Sequence, residues 1–187
     1  MKRVWTWLWT PSGVLSSGFL LALGVLIGAI LLVGGHSAMK ATESTEFCVS
    51  CHELAPVYEE YKQSSHFSNA SGVQAGCADC HVPEPFVPWL VDHYRALGEA
   101  YASFTGKIET PEKCESHRLE MAERVWDEMA ASDSRECRSC HVEHAMDFDK
   151  QTPEAAKLMM AGFENGETCI DCHKGIAHKL PDMSQGY

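Results

Sequence analysis

The chain has 187 residues, enough for one folded domain plus an anchor, and it carries a formal net charge of −11. All 26 Asp and Glu residues lie after Met39, together with only 13 of the 15 Lys and Arg residues, so the later part of the chain is strongly acidic. This charge argues against nucleic acid and anionic membrane surfaces as partners, and it suits a partner with a basic docking patch.

The first part of the chain predicts a membrane anchor. The run from Val14 to Val33 is apolar or small throughout. About twenty helical residues span about 30 Å, the thickness of a bilayer's hydrocarbon core. A cleaved signal peptide is the alternative, but its apolar region is normally only about 7–15 residues long and ends at a small-x-small cleavage site. His36-Ser37-Ala38 fits such a site poorly, so we predict a retained anchor over residues 13–35.

Charges on the two sides of this segment predict its orientation. Lys2 and Arg3 precede it and the acidic residues follow it, which leaves residues 1–12 in the cytoplasm and sends residues 36–187 outside. Trp5, Trp7 and Trp9 would lie at the inner boundary, where indole rings favour the headgroup level. We therefore expect a single-pass protein of the bacterial inner membrane with most of its chain in the periplasm.

Four CxxCH motifs follow the anchor in two pairs. The first pair begins at Cys48 and Cys77, which are 29 residues apart, and the second begins at Cys137 and Cys169, which are 32 apart. This spacing indicates a duplicated two-motif unit, with halves at about residues 45–105 and 130–180. The motif residues are Cys48, Cys51 and His52; Cys77, Cys80 and His81; Cys137, Cys140 and His141; and Cys169, Cys172 and His173.

Between the two pairs the sequence predicts two helices. Apolar residues recur at helical spacing from Phe86 to Phe104. Thr110-Pro111-Glu112 then supplies an N-cap, a proline at the first helical position and an early acidic residue. Leu119, Val125, Trp126 and Met129 line part of that second helix, and no convincing alternating strand occurs.

The CxxCH pattern is typical of covalent haem attachment. The two thiols form thioether bonds to the porphyrin, and the adjacent His ligates the iron from one face. Two Cys₄ zinc sites are the alternative, but zinc does not require a His directly after every Cys pair. We therefore predict four covalently bound haem c groups. The resulting fold class is mainly α with long irregular loops, in which a transmembrane helix precedes a multihaem cytochrome c domain whose core is the haems.

The remaining thiol and imidazoles have several candidate roles. Cys114 is expected to be a small apolar residue, and a disulfide that links two copies stays open, as does homo-oligomerisation. His117 and Arg118 suit contacts with haem propionates. His36 is expected at the membrane interface and His144 at the surface. His66, His93 and His178 are candidate second ligands for iron.

Several segments carry a resemblance to a known family, the NapC/NirT tetrahaem quinol dehydrogenases. The resemblance covers almost the whole chain and is strongest in EFCVSCHEL (46–54), CADCHVP with the following FVP (77–88), HRLEMA (117–122) and TCIDCHKGIAHKLPDM (168–183). It is nearest to the NapC branch, which implies periplasmic nitrate reductase as the electron acceptor. More broadly, it implies a haem-containing or multihaem reductase subunit in the periplasm as partner, together with the membrane quinone pool.

The resemblance also implies a ligand scheme. His178 would face His141 across the third iron, His66 would face His173 across the fourth, and His93 would serve the second iron opposite His81. The family places a Met ligand for the first iron at the position of Leu54, which has no donor atom, so His52 is favoured there. An imidazole normally gives a lower potential than a thioether.

The implied reaction is oxidation of menaquinol or ubiquinol near the first haem, with release of two protons and transfer of electrons along the haems. Glu99, which precedes Tyr101, is the implied proton acceptor, with His93 beside it as a second candidate. Two alternatives remain open: electron flow from a periplasmic oxidoreductase into the quinone pool, and an electron wire without its own quinone site.

Overall fold

The computed structural model describes Gly13, Leu15 and residues 17–185. All regular structure within these residues is helical, which confirms the predicted mainly α fold. The helices in chain order are α1 (Ser17–Ala41), α2 (Thr45–Cys48), α3 (Ala55–Tyr61), α4 (Cys77–His81), α5 (Phe86–Phe104), α6 (Pro111–Ser116), α7 (Arg118–Ala131), α8 (Arg135–Cys140), α9 (Pro153–Asn165) and α10 (Cys169–Cys172). Short 3₁₀ turns form at His52–Leu54, Glu143–Ala145, Phe148–Lys150 and Met183–Gln185.

Helix α1 is the one helix in the described part of the chain that is long and apolar enough to cross a membrane, with a mean hydropathy of 2.5 over its span. It runs six residues past the predicted end of the anchor, to Ala41. The helix ends where the Thr42 hydroxyl donates a hydrogen bond of 2.7 Å to the Met39 carbonyl. Lys2, Arg3 and the three tryptophans lie outside the described residues, so the predicted orientation stays a prediction.

The chain divides into two compact units with the boundary between Thr42 and Glu43. The second unit contains all four CxxCH motifs and has very little apolar core. Its buried apolar side chains, among the described residues, are Tyr61, Trp89, Ala156, Ile170 and Pro181. A unit of this size normally buries far more apolar surface.

The two central helices are only partly as the sequence predicts. The first forms over Phe86–Phe104, which confirms the prediction. The second is interrupted at His117, which separates α6 from α7. The cause is local: the Lys113 carbonyl accepts hydrogen bonds from the Ser116 hydroxyl at 2.8 Å and from His117 Nδ1 at 2.9 Å. These side chains take the place of the backbone N–H that would continue the helix.

A half-buried ion pair joins α3, α7 and the C-terminal segment. Arg118 donates two hydrogen bonds to the Glu60 carboxylate, at 2.9 and 3.0 Å, and the Lys179 backbone N–H donates a third at 3.0 Å. Arg118 is therefore paired with a carboxylate of the chain itself, where the sequence suggested a haem propionate. Burial works against the charged carboxylate, but the hydrogen bonds from Arg118 and Lys179 outweigh it, so the pKa of Glu60 lies below its usual value of 4.5.

Glu60→Gln should lower the free energy of unfolding by about 1–3 kcal/mol at neutral pH, because Arg118 loses the more buried of its two carboxylate partners and keeps only Glu115. A group with a depressed folded-state pKa stabilises the fold above its unfolded-state pKa, and this contribution disappears as the pH falls through the folded value. The difference between wild type and variant should therefore shrink below pH 4.5.

Guanidinium titrations across pH measure this effect. Glu59→Gln is the matched control, because Glu59 pairs with Lys62 in an exposed position and its loss should change stability by less than about 0.5 kcal/mol. Equal effects of the two substitutions, or a difference that does not depend on pH, would contradict the assigned role of the Glu60 pair.

Candidate haem-binding site

The second, third and fourth CxxCH motifs each lie on a short helix, whereas the first begins at the last residue of α2 and continues as a turn. The four motifs are held by side-chain hydrogen bonds of two alternating kinds. In the first and third motifs, Ser50 and Ser139 donate to the carbonyl three residues earlier, at 2.6 and 2.7 Å. In the second and fourth motifs, Asp79 and Asp171 accept from the backbone N–H three residues earlier, at 2.6 and 2.7 Å. The residue before the second Cys thus alternates Ser, Asp, Ser, Asp. This alternation is visible in the sequence and gives the proposed duplication residue-level support.

A hydroxyl group links the two motifs of each pair. Thr45 lies three residues before Cys48, and its hydroxyl oxygen accepts a hydrogen bond of 3.3 Å from the Cys77 backbone N–H. Ser134 lies three residues before Cys137, and its fully buried hydroxyl oxygen accepts one of 3.1 Å from the Ile170 backbone N–H. The two halves therefore use similar contacts, offset by one residue, to fix where the second motif of the pair begins.

The thiols of successive motifs lie close together. Burial raises the pKa of the Cys48 thiol, and the neighbouring Cys77 raises it further. Burial also raises the pKa of Cys80 to about 11, with a contribution from Cys137, and that of Cys137, with a contribution from Cys169. The motifs thus lie next to one another in chain order: the first motif lies beside the second, the second beside the third, and the third beside the fourth.

The candidate ligands meet in two imidazole pairs. His81 and His178 have ring centroids 6.2 Å apart, and His66 and His141 have theirs 6.1 Å apart. Two imidazole–metal bonds of about 2 Å on opposite sides of one ion place the ring centroids about 6 Å apart. These two pairings differ from the ones implied by the resemblance, which joined His178 to His141 and His66 to His173.

The environment of these rings favours the neutral imidazole that ligates metals. Desolvation by the surrounding chain lowers the pKa of His81, and nearby His178 adds to the effect. Desolvation likewise lowers the pKa of His178, whose Nδ1 donates to the Val57 carbonyl at 3.2 Å. That bond leaves Nε2 for a metal. His66 Nδ1 is buried and has no hydrogen-bond partner within the described residues.

His93 lies apart from both imidazole pairs. Its Nδ1 donates to the Trp89 carbonyl at 2.9 Å, and its Nε2 lies 3.6 Å from the Glu43 carboxylate. The same carboxylate accepts a hydrogen bond of 2.5 Å from Trp89 Nε1. Glu99, the carboxylate implied by the resemblance, instead forms an exposed ion pair of 2.7 Å with Arg124. Glu43 was not among the residues predicted from the sequence, because no sequence pattern indicates its contacts with Trp89 and His93 of α5, some fifty residues later.

The first motif borders an open cavity of about 640 Å³ lined by His52, Ser103, Phe104 and Glu109 among others. His52 Nε2 donates to the Glu109 carbonyl at 3.0 Å, so binding iron through this nitrogen would require that bond to open. The buried Glu53 carboxylate accepts from the Ser103 hydroxyl at 2.5 Å. Leu54, at the family's Met position, is exposed.

The other candidates lie away from these imidazole pairs. His117 Nδ1 is bonded to the Lys113 carbonyl and His144 is exposed. His36 lies in the last turns of α1. Cys114 is half-buried, and burial raises the pKa of its thiol.

Comparison with known proteins identifies the family. A model of the NapC/NirT cytochrome c family, N-terminal region, matches residues 10–183. The chain belongs to the NapC/NirT cytochrome c family. The family prediction made from the motifs is thereby confirmed.

Relatives in this family match over the whole chain. The cytochrome c-type protein TorC of Escherichia coli (strain K12) is 51% identical over 100% of this chain and 48% of TorC. NapC of the same strain is 47% identical, over 99% of this chain and 92% of NapC, and NapC of Paracoccus pantotrophus is 45% identical, over 98% and 81%. The chain thus spans about half the length of TorC and most of the length of NapC. No solved structure matches it.

Membership of a c-type cytochrome family means that the chain binds haem covalently. The described residues fit this cofactor, because two of the four motif histidines face a second imidazole at the separation expected across one iron. Within the described residues, no group of three or more His, Cys, Asp and Glu side chains converges as a zinc site would require.

Thr45→Val should destabilise the fold by about 1 kcal/mol, because the Cys77 N–H loses its acceptor while the side-chain shape is kept. Thr45→Ser keeps the hydroxyl and is the matched control. Guanidinium unfolding of the full haem-loaded chain in detergent, followed by circular dichroism, measures both variants. Equal stability of the Val and Ser variants would show that the hydroxyl does not link the first two motifs.

Proposed function

We propose that the chain is a membrane-anchored tetrahaem cytochrome that oxidises quinol and passes the electrons to a periplasmic reductase. The observation that carries this proposal is the succession of the four motifs in chain order, which would hold four haems in a continuous row. Bound haem supplies one-electron redox chemistry. Family membership and the apolar helix α1 support a role at the membrane, with the bulk of the chain in the periplasm.

The similarity to NapC makes periplasmic nitrate reductase the first candidate for the acceptor. NapC matches along almost its whole length, whereas TorC contains about as much additional chain as this protein has in total. The acceptor that TorC serves is the competing candidate, because the sequence identity of TorC to this chain, 51%, is slightly higher than the 47% of NapC. The acidic charge of the chain after Met39 suits docking onto a basic face of either partner.

We assign the iron ligands from the imidazole pairs. His178 serves the second haem opposite His81, and His66 serves the third haem opposite His141. His173 serves the fourth haem and His52 the first. This assignment leaves His93 without a ligand role, because His178 takes the position opposite His81 that the resemblance gave to His93.

His93→Gln should leave the spin states of all the haems as they are in wild type, whereas His178→Gln should convert one further haem to the high-spin state. Electron paramagnetic resonance of the two purified variants measures this, with haem content checked by absorbance. A new high-spin signal in His93→Gln would contradict the assignment and favour the ligand scheme implied by the resemblance.

His93 and Glu43 then form the best-placed group to accept a proton from quinol. The Nδ1 proton of His93 is held by the Trp89 carbonyl, so a neutral ring presents an unprotonated Nε2. The adjacent Glu43 carboxylate stabilises the cation formed when Nε2 takes a proton. Both side chains are largely shielded from water, at 14% and 13% exposure, which strengthens the interaction between them.

Glu43→Gln should slow quinol oxidation by on the order of 100-fold, because Gln keeps the Trp89 hydrogen bond but cannot stabilise a protonated His93. Glu99→Gln, which removes the carboxylate implied by the resemblance, should leave the rate near that of wild type because Glu99 is engaged with Arg124 in an exposed position. Stopped-flow haem reduction by menaquinol or ubiquinol under anaerobic conditions measures all three proteins.

The same measurement tests the function itself. Wild-type haems that dithionite reduces but neither quinol reduces would favour the electron wire without a quinone site. Haems that reduce quinone faster than quinol reduces them would favour electron flow into the quinone pool. If Glu99→Gln slowed haem reduction by quinol and Glu43→Gln did not, Glu99 and not Glu43 would be the residue that assists proton acceptance.

A further inference from the structure

Helix α5 exposes its large apolar residues. Tyr94 is 77% exposed, Tyr101 69% and Phe104 91%. Together with exposed Val87, Leu90 and Leu97, they recur at alternating intervals of three and four residues. Residues at this spacing share one face of a helix, so α5 carries a continuous apolar stripe about 25 Å long. We define these six residues as the α5 stripe.

The other faces of α5 are engaged by the rest of the chain. Trp89 is buried and donates to Glu43, and Ser103 donates to the buried Glu53. On a third side, Arg95 and Glu99 form ion pairs with Glu128 and Arg124 of α7. The helix therefore turns Trp89 and polar residues towards the protein, while most of its bulky apolar residues point outwards. This is the reverse of the amphipathic pattern of a water-soluble surface helix.

An exposed apolar stripe of this length needs an apolar partner, because soluble proteins rarely leave such large continuous patches in water. The connectivity of the chain indicates that this partner is the lipid bilayer that α1 is predicted to cross. Only Thr42 separates Glu43 from Ala41, the last residue of α1, and Glu43 binds Trp89 of α5. The Cα atoms of Ala41 and Glu43 are at most about 7 Å apart along the chain, so α5 is hydrogen-bonded to a residue that follows the membrane anchor almost directly.

We propose that the α5 stripe lies in the lipid interface and contacts acyl chains, so that α5 is a second membrane contact beside the anchor. The tyrosines of the stripe suit this depth, because they combine an apolar ring with a polar end that stays at the headgroups. The attraction is apolar, since the chain after Met39 is acidic and does not favour anionic headgroups. This contact does not depend on the quinol function proposed above.

Photo-cross-linking tests the contact in the full haem-loaded chain. The photoreactive residue p-benzoylphenylalanine replaces Tyr94 or Tyr101, and the protein is placed in nanodiscs of the zwitterionic lipid phosphatidylcholine. Mass spectrometry then identifies the adducts formed on illumination. Absorbance confirms that each variant carries the same haem content as wild type.

Two control positions sharpen the comparison. Leu158 of α9 is apolar and 72% exposed, so it reports cross-linking at an exposed site elsewhere in the same unit. Glu99 lies on α5 itself but on the side of the Arg124 ion pair. We expect lipid adducts at Tyr94 and Tyr101 in several-fold excess over both controls. Equal lipid yields at all four positions, or adducts at Tyr94 and Tyr101 to haem, to a second copy of the chain or to nothing, would overturn the proposal.

Discussion

The covalent bond between the CxxCH thiols and haem is the constraint on which the rest of this structure depends. The unit after Thr42 buries only a handful of apolar side chains, which is too few to offset the loss of conformational entropy on folding. Four porphyrins would supply the missing apolar volume, with the helices forming a thin shell around them. Stability and redox function then have the same source, because whatever positions the haems also holds the fold together.

The duplicated unit shows how a short chain positions several haems. Each half uses a hydroxyl three residues before its leading motif to bind the backbone at the start of its second motif. These bonds help to set the distance between paired motifs. The packing of α4 against α8 then brings the second and third motifs together and joins the halves. An unbroken row of haems would follow, which is what electron transfer requires.

The sequence predicted local features well and distant contacts poorly. The Phe86–Phe104 helix and the family follow from hydrophobic spacing and from the CxxCH motifs, which are local patterns. The break at His117 depends on side-chain hydrogen bonds to one carbonyl, which spacing does not reveal. The imidazole pairs join residues about a hundred positions apart in one case and about seventy-five in the other. The Glu43–His93 contact depends on the same kind of long-range packing, so the sequence alone pointed to Glu99.

Hydrogen–deuterium exchange of the full chain, with and without attached haem, tests the central claim most directly. The same gene expressed in cells that lack the haem-attachment machinery gives the haem-free chain, and detergent keeps α1 in solution in both forms. If the haems are the core, amides from Glu43 onwards should be protected only in the haem-loaded form, while those of α1 stay protected in both. Strong, cooperative protection of residues 43–185 without haem would show that the polypeptide folds on its own and would contradict the account.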